Sequence, residues 1–345
     1  MEIQPELRVA IIGLGVGERH ISGYESEPRC KVTILCDIDS CKLQELGKQY
    51  PNKLLSTNPN EVLQDPNIDI VSIASYDNVH CDQVVTALRH NKHVFVEKPL
   101  CLTFTEFNCI VDTLAVYPHL QLSSNLILRK APRFLTLRQR ISKGELGEIY
   151  YLEGDYDYGR IDKILNGWRG KIPFYSVVCG GAIHLIDLLI WLTGKRIERV
   201  FAWGNKIATA KTKFLYYDFV VSLIEFSDGS IAKVSANFGC VTPHHHRVCI
   251  YGTEGTFIQT HSVALYMNSR HLDAPKEVLS DNYPSMSKGD MIPSFVRSIL
   301  DGTRLEITCK EVLTSMAVAL TIDQSLVSGK PESVNYDWEK KIKHD

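Results

Sequence analysis

Apolar residues follow two different patterns along the chain, and the change between them lies near residue 125. In the first part, short apolar runs without polar alternation are separated by stretches with helical spacing. The runs are "RVAIIG" (8–13), "KVTILCD" (31–37), "IDIVSIAS" (68–75) and "HVFV" (93–96). Strands that are apolar throughout are buried on both faces, which is typical of a parallel sheet covered by helices. This pattern predicts a doubly wound α/β domain over residues 1–124.

Long stretches rich in Tyr and Val characterise residues 125–345. They are "GEIYYLEGDYDY", "RVFAWGNK", "YDFVVSLIEFSDGSIAKVSANFG" and "HHRVCIYGTEGTFIQT". Asp228 and Gly229 separate two apolar runs, which is a hairpin signal. Helical stretches such as "HLIDLLIWLTG" interrupt the strands. The succession predicts a second domain of the α+β class with an open, largely antiparallel sheet.

Composition narrows the class of protein. The chain has 345 residues, which suits two domains, and a net charge of −2, which gives no electrostatic reason to expect nucleic acid or an anionic membrane. No apolar run approaches the ~20 residues that span a bilayer, and the N-terminal segment lacks the pattern of a signal peptide. Ten cysteines occur without a C-x-x-C pair. We therefore expect reduced thiols, no metal site and a cytoplasmic protein.

Three consecutive histidines, 244–246, are the one stretch that suggests metal ligands. Successive residues of a strand point to opposite faces, so the three do not suit one ion. We interpret them as a solvated strand end; the alternative places His245 or His246 in a substrate pocket.

A glycine-rich turn, "GLGVGERH" (13–20), follows the first predicted strand directly. In that position glycines let the backbone approach a pyrophosphate, which helix N–H groups then bind. Gly13 and Gly15 fit the G-x-G-x-x-G pattern, but Glu18 holds its third glycine position and Gly17 comes one residue early. A plain strand-to-helix turn is the alternative. The residues assigned to the cofactor turn are Gly13, Leu14, Gly15, Val16 and Gly17.

Asp37 ends the second predicted strand, 20 residues after Gly17. An acid at this place accepts hydrogen bonds from the adenosine ribose and repels a 2′-phosphate. The sequence thus favours NAD over NADP as the cofactor. Asp39 is a candidate to assist or replace Asp37, and the alternative for Asp37 is a surface acid at a strand end.

Lys98 lies in "HVFVEKPL" (93–100), between an acid and a proline at the end of a strand-like run. Ligands of such folds bind outside the carboxyl ends of the strands, so Lys98 is expected near the nicotinamide. Removing a hydride from a carbinol also requires its hydroxyl proton to leave. Lysine suits this task when burial and a nearby positive charge lower its pKa.

Five segments, "GLGVGERH", "EKPL", "GELGEI", "GGAIHLIDLLIWL" and "YGTEGT", occur in the order found in the glucose–fructose oxidoreductase/inositol dehydrogenase (Gfo/Idh/MocA) family, which the chain resembles over nearly its whole length. The resemblance implies a Rossmann domain followed by an α/β domain whose open sheet often makes oligomer contacts. It implies that Glu97-Lys98-Pro99 is the family signature beside the cofactor, with Pro99 often cis. The family's typical substrates are sugars, cyclitols and sugar nucleotides.

His184 is the second catalytic candidate. Histidine suits proton transfer near neutral pH, and the resemblance places His184 on the family's catalytic histidine. Before an apolar helix, a histidine alone is more often structural. Many family members carry Asp four residues earlier, where this chain has Gly180. Either His184 works with Lys98 alone, or Asp187 or another residue supplies the missing group.

Other candidates surround these two. By the resemblance, Ser75, Tyr76 and His80 border the nicotinamide half of the cofactor, and "GWRG", with Trp168 and Arg169, reaches cofactor or substrate. As sequence alone, Trp168 suits a core position. The polar residues Asn125 and Arg129 lie at the predicted domain junction, where they suit either a site or a hinge. The cofactor set is completed by Glu97, Lys98 and Asn125, and the substrate set consists of Lys98, Arg129, His184 and Asp187.

These patterns together predict an NAD-dependent oxidoreductase acting on a carbinol of a carbohydrate, with Lys98 and His184 handling the proton. Two alternatives share the fold: a non-catalytic NAD-binding regulator, which Gly180 favours, and a reductase of a C=N or conjugated bond. A homodimer or homotetramer is expected, because an open sheet with helices on one face leaves the other face available for a partner.

Overall fold

The computed structural model describes residues 6–342. Its strands are β1 (Leu7–Ile12), β2 (Cys30–Cys36), β3 (Leu54–Ser56), β4 (Ile70–Ile73), β5 (His93–Val96), β6 (Leu122–Ser124), β7 (Ile149–Asp157), β8 (Ile197–Asn205), β9 (Phe219–Phe226), β10 (Ile231–Asn237), β11 (His245–Gly252), β12 (Thr256–Gln259), β13 (Ala264–Met267), β14 (Glu277–Leu279) and β15 (Glu332–Ser333). Its α-helices are α1 (Ile21–Glu25), α2 (Ser40–Gln49), α3 (Pro59–Gln64), α4 (His80–Arg89), α5 (Phe104–Val116), α6 (Pro132–Ser142), α7 (Asp162–Leu165), α8 (Ile183–Thr193), α9 (Ile292–Asp301) and α10 (Cys309–Ser328).

The chain forms two compact units. Within the described residues, unit 1 contains 6–127, Ser287–Leu313 and 336–342, whereas unit 2 contains Leu128–Met286 and Thr314–Asn335. The sequence-based division treated everything after residue 124 as one domain. In the structure the chain returns to unit 1 twice.

Unit 1 is built on six parallel strands in the order β3-β2-β1-β4-β5-β6. The doubly wound parallel sheet predicted from the apolar runs is confirmed. The order reverses between β1 and β4, which are neighbours in the sheet. In open α/β sheets the crevice at such a switch point, outside the carboxyl ends of the strands, is where ligands bind.

The returning segments complete the apolar core of unit 1. Phe295 of α9 packs on Phe95 of β5, with ring centroids 5.6 Å apart. Trp338 packs edge-on against Phe107 of α5 at 6.0 Å. The Ser123 hydroxyl donates a hydrogen bond of 2.8 Å to the Ile307 carbonyl. The apolar residues of α9, with Phe295 among them, are buried, which explains why a later part of the chain belongs with the first sheet.

Unit 2 contains a nine-stranded sheet in the order β14-β13-β12-β11-β7-β10-β9-β8-β15. Every pairing is antiparallel except that of β7 with β10. The predicted open, largely antiparallel sheet is confirmed. The predicted hairpin between β9 and β10 is also present, with Gly229 at φ +83°.

The two faces of this sheet differ in what covers them. Helix α8 packs closely on one face, where a Cβ at Gly154 of β7 would lie 3.1 Å from Leu185 Cβ. The other face leaves large apolar side chains in solvent. Trp203, Leu223 and Ile231 are 53%, 47% and 48% exposed. One face of the sheet thus forms a core and the other an uncovered surface.

The structure also describes the cysteine thiols and the apolar character of the helices. All ten cysteines have free thiols. Within residues 6–342, no helix combines the length and the apolar character needed to cross a bilayer.

Candidate active site

The glycine-rich turn of unit 1 lies at the carboxyl ends of β1 and β4. Gly13 has φ +87°, and a Cβ there would lie 2.4 Å from the Ala74 carbonyl oxygen. A Cβ at Gly17 would lie 2.8 Å from Ile11 Cγ2. The third glycine of the G-x-G-x-x-G pattern usually allows the helix to pack closely on the strand. In this chain Gly17, one residue earlier, has that role. A 3₁₀ turn over Gly17–His20 and the short helix α1 follow.

Asp37 holds this turn in place. Its carboxylate accepts hydrogen bonds from the Leu14 N–H at 2.7 Å and from the Asp39 N–H at 3.0 Å. Asp39 caps α2 by accepting from the N–H groups of Cys41 and Lys42, so it already has a structural task. The Lys42 ammonium lies 3.6 Å from the position of a Cβ at Gly15. One acid and one base thus flank the turn that the sequence assigned to the cofactor.

Glu97 anchors the segment that carries Lys98. The Glu97 carboxylate is buried and accepts a hydrogen bond from Asn125 Nδ2 at 2.8 Å, while His20 Nε2 lies 3.4 Å away. Burial opposes its ionisation, but the charge of Lys288 and the contact with His20 outweigh burial and lower the pKa of Glu97. The half-buried Lys98 therefore follows a fixed, ionised residue.

The remaining unit 1 candidates divide into exposed and buried side chains. Tyr76 is 42% exposed. The Ser75 hydroxyl donates to Gln83 Oε1 at 2.7 Å. His80 is fully buried, and its ring nitrogens lie 2.6 Å from the Pro99 carbonyl and 3.2 Å from the Ser75 carbonyl. His80 thus braces the loop after β4 against the Lys98-Pro99 segment, in which the peptide bond is cis as the resemblance implied.

His184 of unit 2 lies in a cluster of aromatic side chains. A π-helical turn over Val178–Ala182 precedes α8 and carries the chain into its first turn. The His184 ring stacks on Tyr156 at 6.2 Å and meets His246 edge-on at the same distance. The Tyr283 hydroxyl lies 2.6 Å from His246 Nδ1. His184 is buried within this cluster.

The three histidines at the start of β11 lie on different sides of the strand. His244 and His246 both pack against Tyr156, each at 5.2 Å. His245 packs against His261 instead, at 4.2 Å. Burial, followed by the charges of His261 and His244, lowers the pKa of His245 to about 4. Because His245 and His246 are buried, the interpretation as a solvated strand end is wrong.

Arg129 and Asp187, which the sequence assigned separately to the substrate, bind each other. Arg129 Nε donates to Asp187 Oδ2 at 2.9 Å, and a second guanidinium nitrogen donates to Oδ1 at 2.6 Å. Ser315 adds a hydrogen bond of 3.1 Å to the same carboxylate. Both charged side chains are almost fully buried. Asp187 thus has a structural partner and does not stand beside Gly180 as a spare acid.

The "GWRG" segment forms a 3₁₀ turn over Trp168–Gly170. The Arg169 guanidinium lies 4.5 Å above the Trp168 ring, and its Nε donates to the Tyr175 hydroxyl at 3.2 Å. Trp168 is half-buried rather than a core residue. No motif in the sequence pointed to Tyr156 or Tyr175, because each is an ordinary strand or loop residue until the fold brings it to a site. His246 was only an alternative pocket residue, and His20 ended the glycine-rich segment without an assigned role.

Comparison with known proteins agrees with this architecture. The family model "Oxidoreductase family, NAD-binding Rossmann fold" (GFO_IDH_MocA) matches residues 7–121, and the model of the GFO/IDH/MocA C-terminal domain matches residues 134–258. The scyllo-inositol 2-dehydrogenase (NAD⁺) of Bacillus subtilis is 28% identical over 263 residues, or 75% of each chain. The myo-inositol 2-dehydrogenase of Thermotoga maritima is 24% identical over 257 residues, covering 72% of this chain and 74% of that protein.

Solved structures share the fold over nearly the full length of this chain. Levoglucosan dehydrogenase in complex with NADH and L-sorbose superposes with a TM-score of 0.84 at 18% identity, covering 96% of this chain and all of the other. Scyllo-inositol dehydrogenase from Lactobacillus casei with NAD(H) and scyllo-inositol gives 0.78 at 22% identity, covering 95% and 99% of the two chains. With both domain models matched in order, the chain belongs to the GFO/IDH/MocA family of oxidoreductases.

Proposed function

We propose that this protein is an NAD-dependent oxidoreductase that transfers a hydride between nicotinamide and a carbinol carbon of a sugar, cyclitol or sugar nucleotide. The observation that carries the proposal is Lys98 at the carboxyl end of β5, next to a Glu97 that is buried and ionised by its partners. Relatives named as inositol dehydrogenases support the substrate class.

NAD fits the residues of the glycine-rich turn. Gly13 and Gly17 keep the turn pressed onto β1 and β4, and Gly15 is exposed above it, so a pyrophosphate has access to the backbone. The cofactor, when bound, supplies the hydride acceptor. Asp37 disfavours a 2′-phosphate by charge, and Lys42 beside Gly15 supplies a cation for the pyrophosphate. NAD is therefore the proposed cofactor in preference to NADP.

Lys98 and His184 are the proposed proton-handling residues. Lys98 is expected to take the hydroxyl proton as the carbinol loses its hydride, and His184 is expected to act on the same proton path. Asn125 supports Lys98 indirectly through its hydrogen bond to Glu97. Trp168, Arg169, Ser75, Tyr76 and His80 stay proposed as cofactor neighbours, whereas we now propose that Arg129 and Asp187 position α8 and do not touch substrate.

The test is a screen of sugars, cyclitols and sugar nucleotides with NAD, followed by NADH absorbance, with NADH and C=N or conjugated acceptors as a second arm. Turnover of a carbinol substrate is the expected result. Tight NAD binding in a fluorescence titration without turnover in either arm would contradict the proposal and favour the regulator.

Self-association through the uncovered face of the unit 2 sheet is proposed as well. Trp203, Leu223 and Ile231 give this face apolar area, and Lys233 and Arg247 pair there with Asp155. We expect a dimer or tetramer in light scattering. Leu223→Lys should lower the mass toward that of one 39.0-kDa chain, whereas Leu272→Lys, at an exposed loop position, should not. A monomeric wild type would contradict this.

The ten free thiols further favour a location in the cytoplasm.

A further inference from the structure

Position 180 is a neighbour of His184. Gly180 lies in the π-helical turn over Val178–Ala182, four residues before His184. Residues four apart on a helix lie on one side of it, with Cβ atoms about 5–6 Å apart. A side chain at position 180 would therefore stand next to the His184 ring, where the family resemblance implies a carboxylate and this chain has none.

The hydroxyl of Tyr175 occupies that place. A Cβ at Gly180 would lie 2.2 Å from the Tyr175 hydroxyl oxygen and 2.7 Å from its Cζ. The Tyr175 side chain is 1% exposed and packs against Phe238 at 6.0 Å and Phe214 at 6.3 Å. A ring held on several sides cannot move away at low cost, because protein cores are close-packed. Gly180 and Tyr175 thus form a matched pair: the glycine leaves the space that the phenol fills.

Arg169 determines how this hydroxyl is oriented. The Arg169 Nε–H donates to the Tyr175 oxygen at 3.2 Å, and the guanidinium rests on the Trp168 ring. A guanidinium has no acceptor, so the tyrosine oxygen must accept and its own proton points elsewhere. A carboxylate at position 180 would be a negative acceptor. Tyr175 is instead a neutral donor beside a positive charge.

Two acids near this turn, Asp187 and Asp323, do not occupy the position beside His184 where the resemblance implies a carboxylate. Asp187 is bound by Arg129 and Ser315. Asp323 accepts from Cys179 Sγ at 3.4 Å, and Cys179 precedes Gly180 by one residue, so it faces a different side of the helical turn. The other polar groups packed around His184 are Tyr156 and His246, with Arg169 and Arg160 acting on Tyr156.

Building on the proposed function, we propose that Tyr175, held by Arg169, is the positioning residue that replaces the missing carboxylate beside His184. Its hydroxyl donates toward one ring nitrogen and stabilises the neutral imidazole, so that the other ring nitrogen carries the proton and can donate it to the reacting oxygen. The site therefore keeps its polar group next to His184 but without a negative charge.

Turnover and cofactor kinetics test the role in catalysis. Tyr175→Phe keeps the ring and removes the hydroxyl, and we expect kcat to fall about 3- to 10-fold, the range for losing one hydrogen bond between neutral groups. The KM for NAD and the melting temperature should stay near wild type. The matched control is Tyr216→Phe, which removes a hydroxyl that donates to the Pro173 carbonyl in a nearby loop. Equal kcat in wild type and Tyr175→Phe would overturn the proposal.

Histidine titration by NMR tests the proposal without any substrate. With ¹³C-labelled histidine and His184→Ala for assignment, Tyr175→Phe should raise the titration midpoint of His184 by about half a pH unit, because a donor to the neutral ring is lost. Tyr216→Phe should leave it unchanged. In Tyr175→Ala/Gly180→Asp, the restored carboxylate should raise the midpoint by about one unit relative to Tyr175→Ala and recover part of its lost kcat.

The two readouts separate the proposals. A wild-type enzyme without any turnover would contradict the proposed function, and the NMR titration would still decide the role of Tyr175. An unchanged His184 midpoint in Tyr175→Phe and in the double variant would overturn the inference, whatever the substrate screen shows.

Discussion

The glycine-rich turn of unit 1 and the histidine cluster of unit 2 are held together by different means. In unit 1, the site is held by backbone contacts and charges. Gly13 lies against the Ala74 carbonyl, and the Glu97 carboxylate interacts with Asn125, His20 and the charge of Lys288. In unit 2, the site is held by packing between aromatic rings. Tyr156 contacts His184, two further histidines and Phe238. The first arrangement tolerates few changes of backbone or charge, whereas the second depends on shape and on single hydroxyl groups.

The largest expected effect concerns the charged arrangement. Lys98→Ala should reduce turnover by on the order of 10²–10⁴, the usual contribution of a general acid or base, while NAD affinity stays near wild type. Lys98→Arg should not restore activity, because a guanidinium stays protonated. Steady-state kinetics and a fluorescence titration with NAD provide the measurement.

The control for Lys98 is Lys31→Ala, which removes an exposed lysine from β2 of the same unit. Turnover should not change in this variant. Wild-type turnover by Lys98→Ala would refute the assigned role. His184→Ala should also lose rate, and the double variant should lose less than the product of the two single losses if both residues act on one proton.

Asp187→Asn tests whether the buried carboxylate of Asp187 stabilises the folded protein rather than binding substrate. The change leaves Arg129 buried without its anionic partner, which typically costs about 3–5 kcal/mol in the free energy of unfolding. Urea unfolding followed by circular dichroism measures it, with the exposed Asp273→Asn as the control. A stable variant whose only defect is a raised substrate KM would instead support the earlier assignment of Asp187 to substrate.

Asp37→Ser sharpens the account of the cofactor turn. Removing the acid should narrow the preference for NAD over NADP by about tenfold, or 1.4 kcal/mol, because the 2′-phosphate no longer meets a carboxylate. Fluorescence titrations with both cofactors measure the ratio. Lys42→Ala is the companion variant and should weaken both cofactors alike. Tighter binding of NADP by the wild type would refute the role of Asp37.

The smallest expected effect is a pH dependence in unit 2. Burial raises the pKa of Asp323 to about 6, against the opposing hydrogen bonds of Ser176 and Cys179. Because the folded pKa lies above the unfolded value, the stabilisation is complete below about pH 4 and is lost as the pH rises through 6. Asp323→Asn should therefore stabilise the protein by about 1 kcal/mol at pH 8 and hardly at about pH 3.5. Equal effects at both pH values in urea unfolding would contradict the shift.

Much of unit 1 was predictable because its signals are local. Each apolar run predicted a buried strand, and the glycine turn, Asp37 and Lys98 all sit at strand ends, where the topology of a parallel sheet brings them to one edge. The family resemblance, rather than a local pattern, identified His184 as a catalytic candidate. His20, by contrast, gave no signal, because it becomes a partner of Glu97 only when β1 and β5 lie in the same sheet.

The sequence by itself determined the two fold classes, the position of the glycine-rich turn and the identity of Lys98 and His184 as candidates, because periodicity and short motifs depend on neighbours along the chain. Only the tertiary structure decided which polar groups meet. It paired Arg129 with Asp187, buried His246 beside His184 and placed the Tyr175 hydroxyl where Gly180 has no side chain. These contacts join residues separated along the chain, and close packing rather than any local pattern determines which atom fills each space.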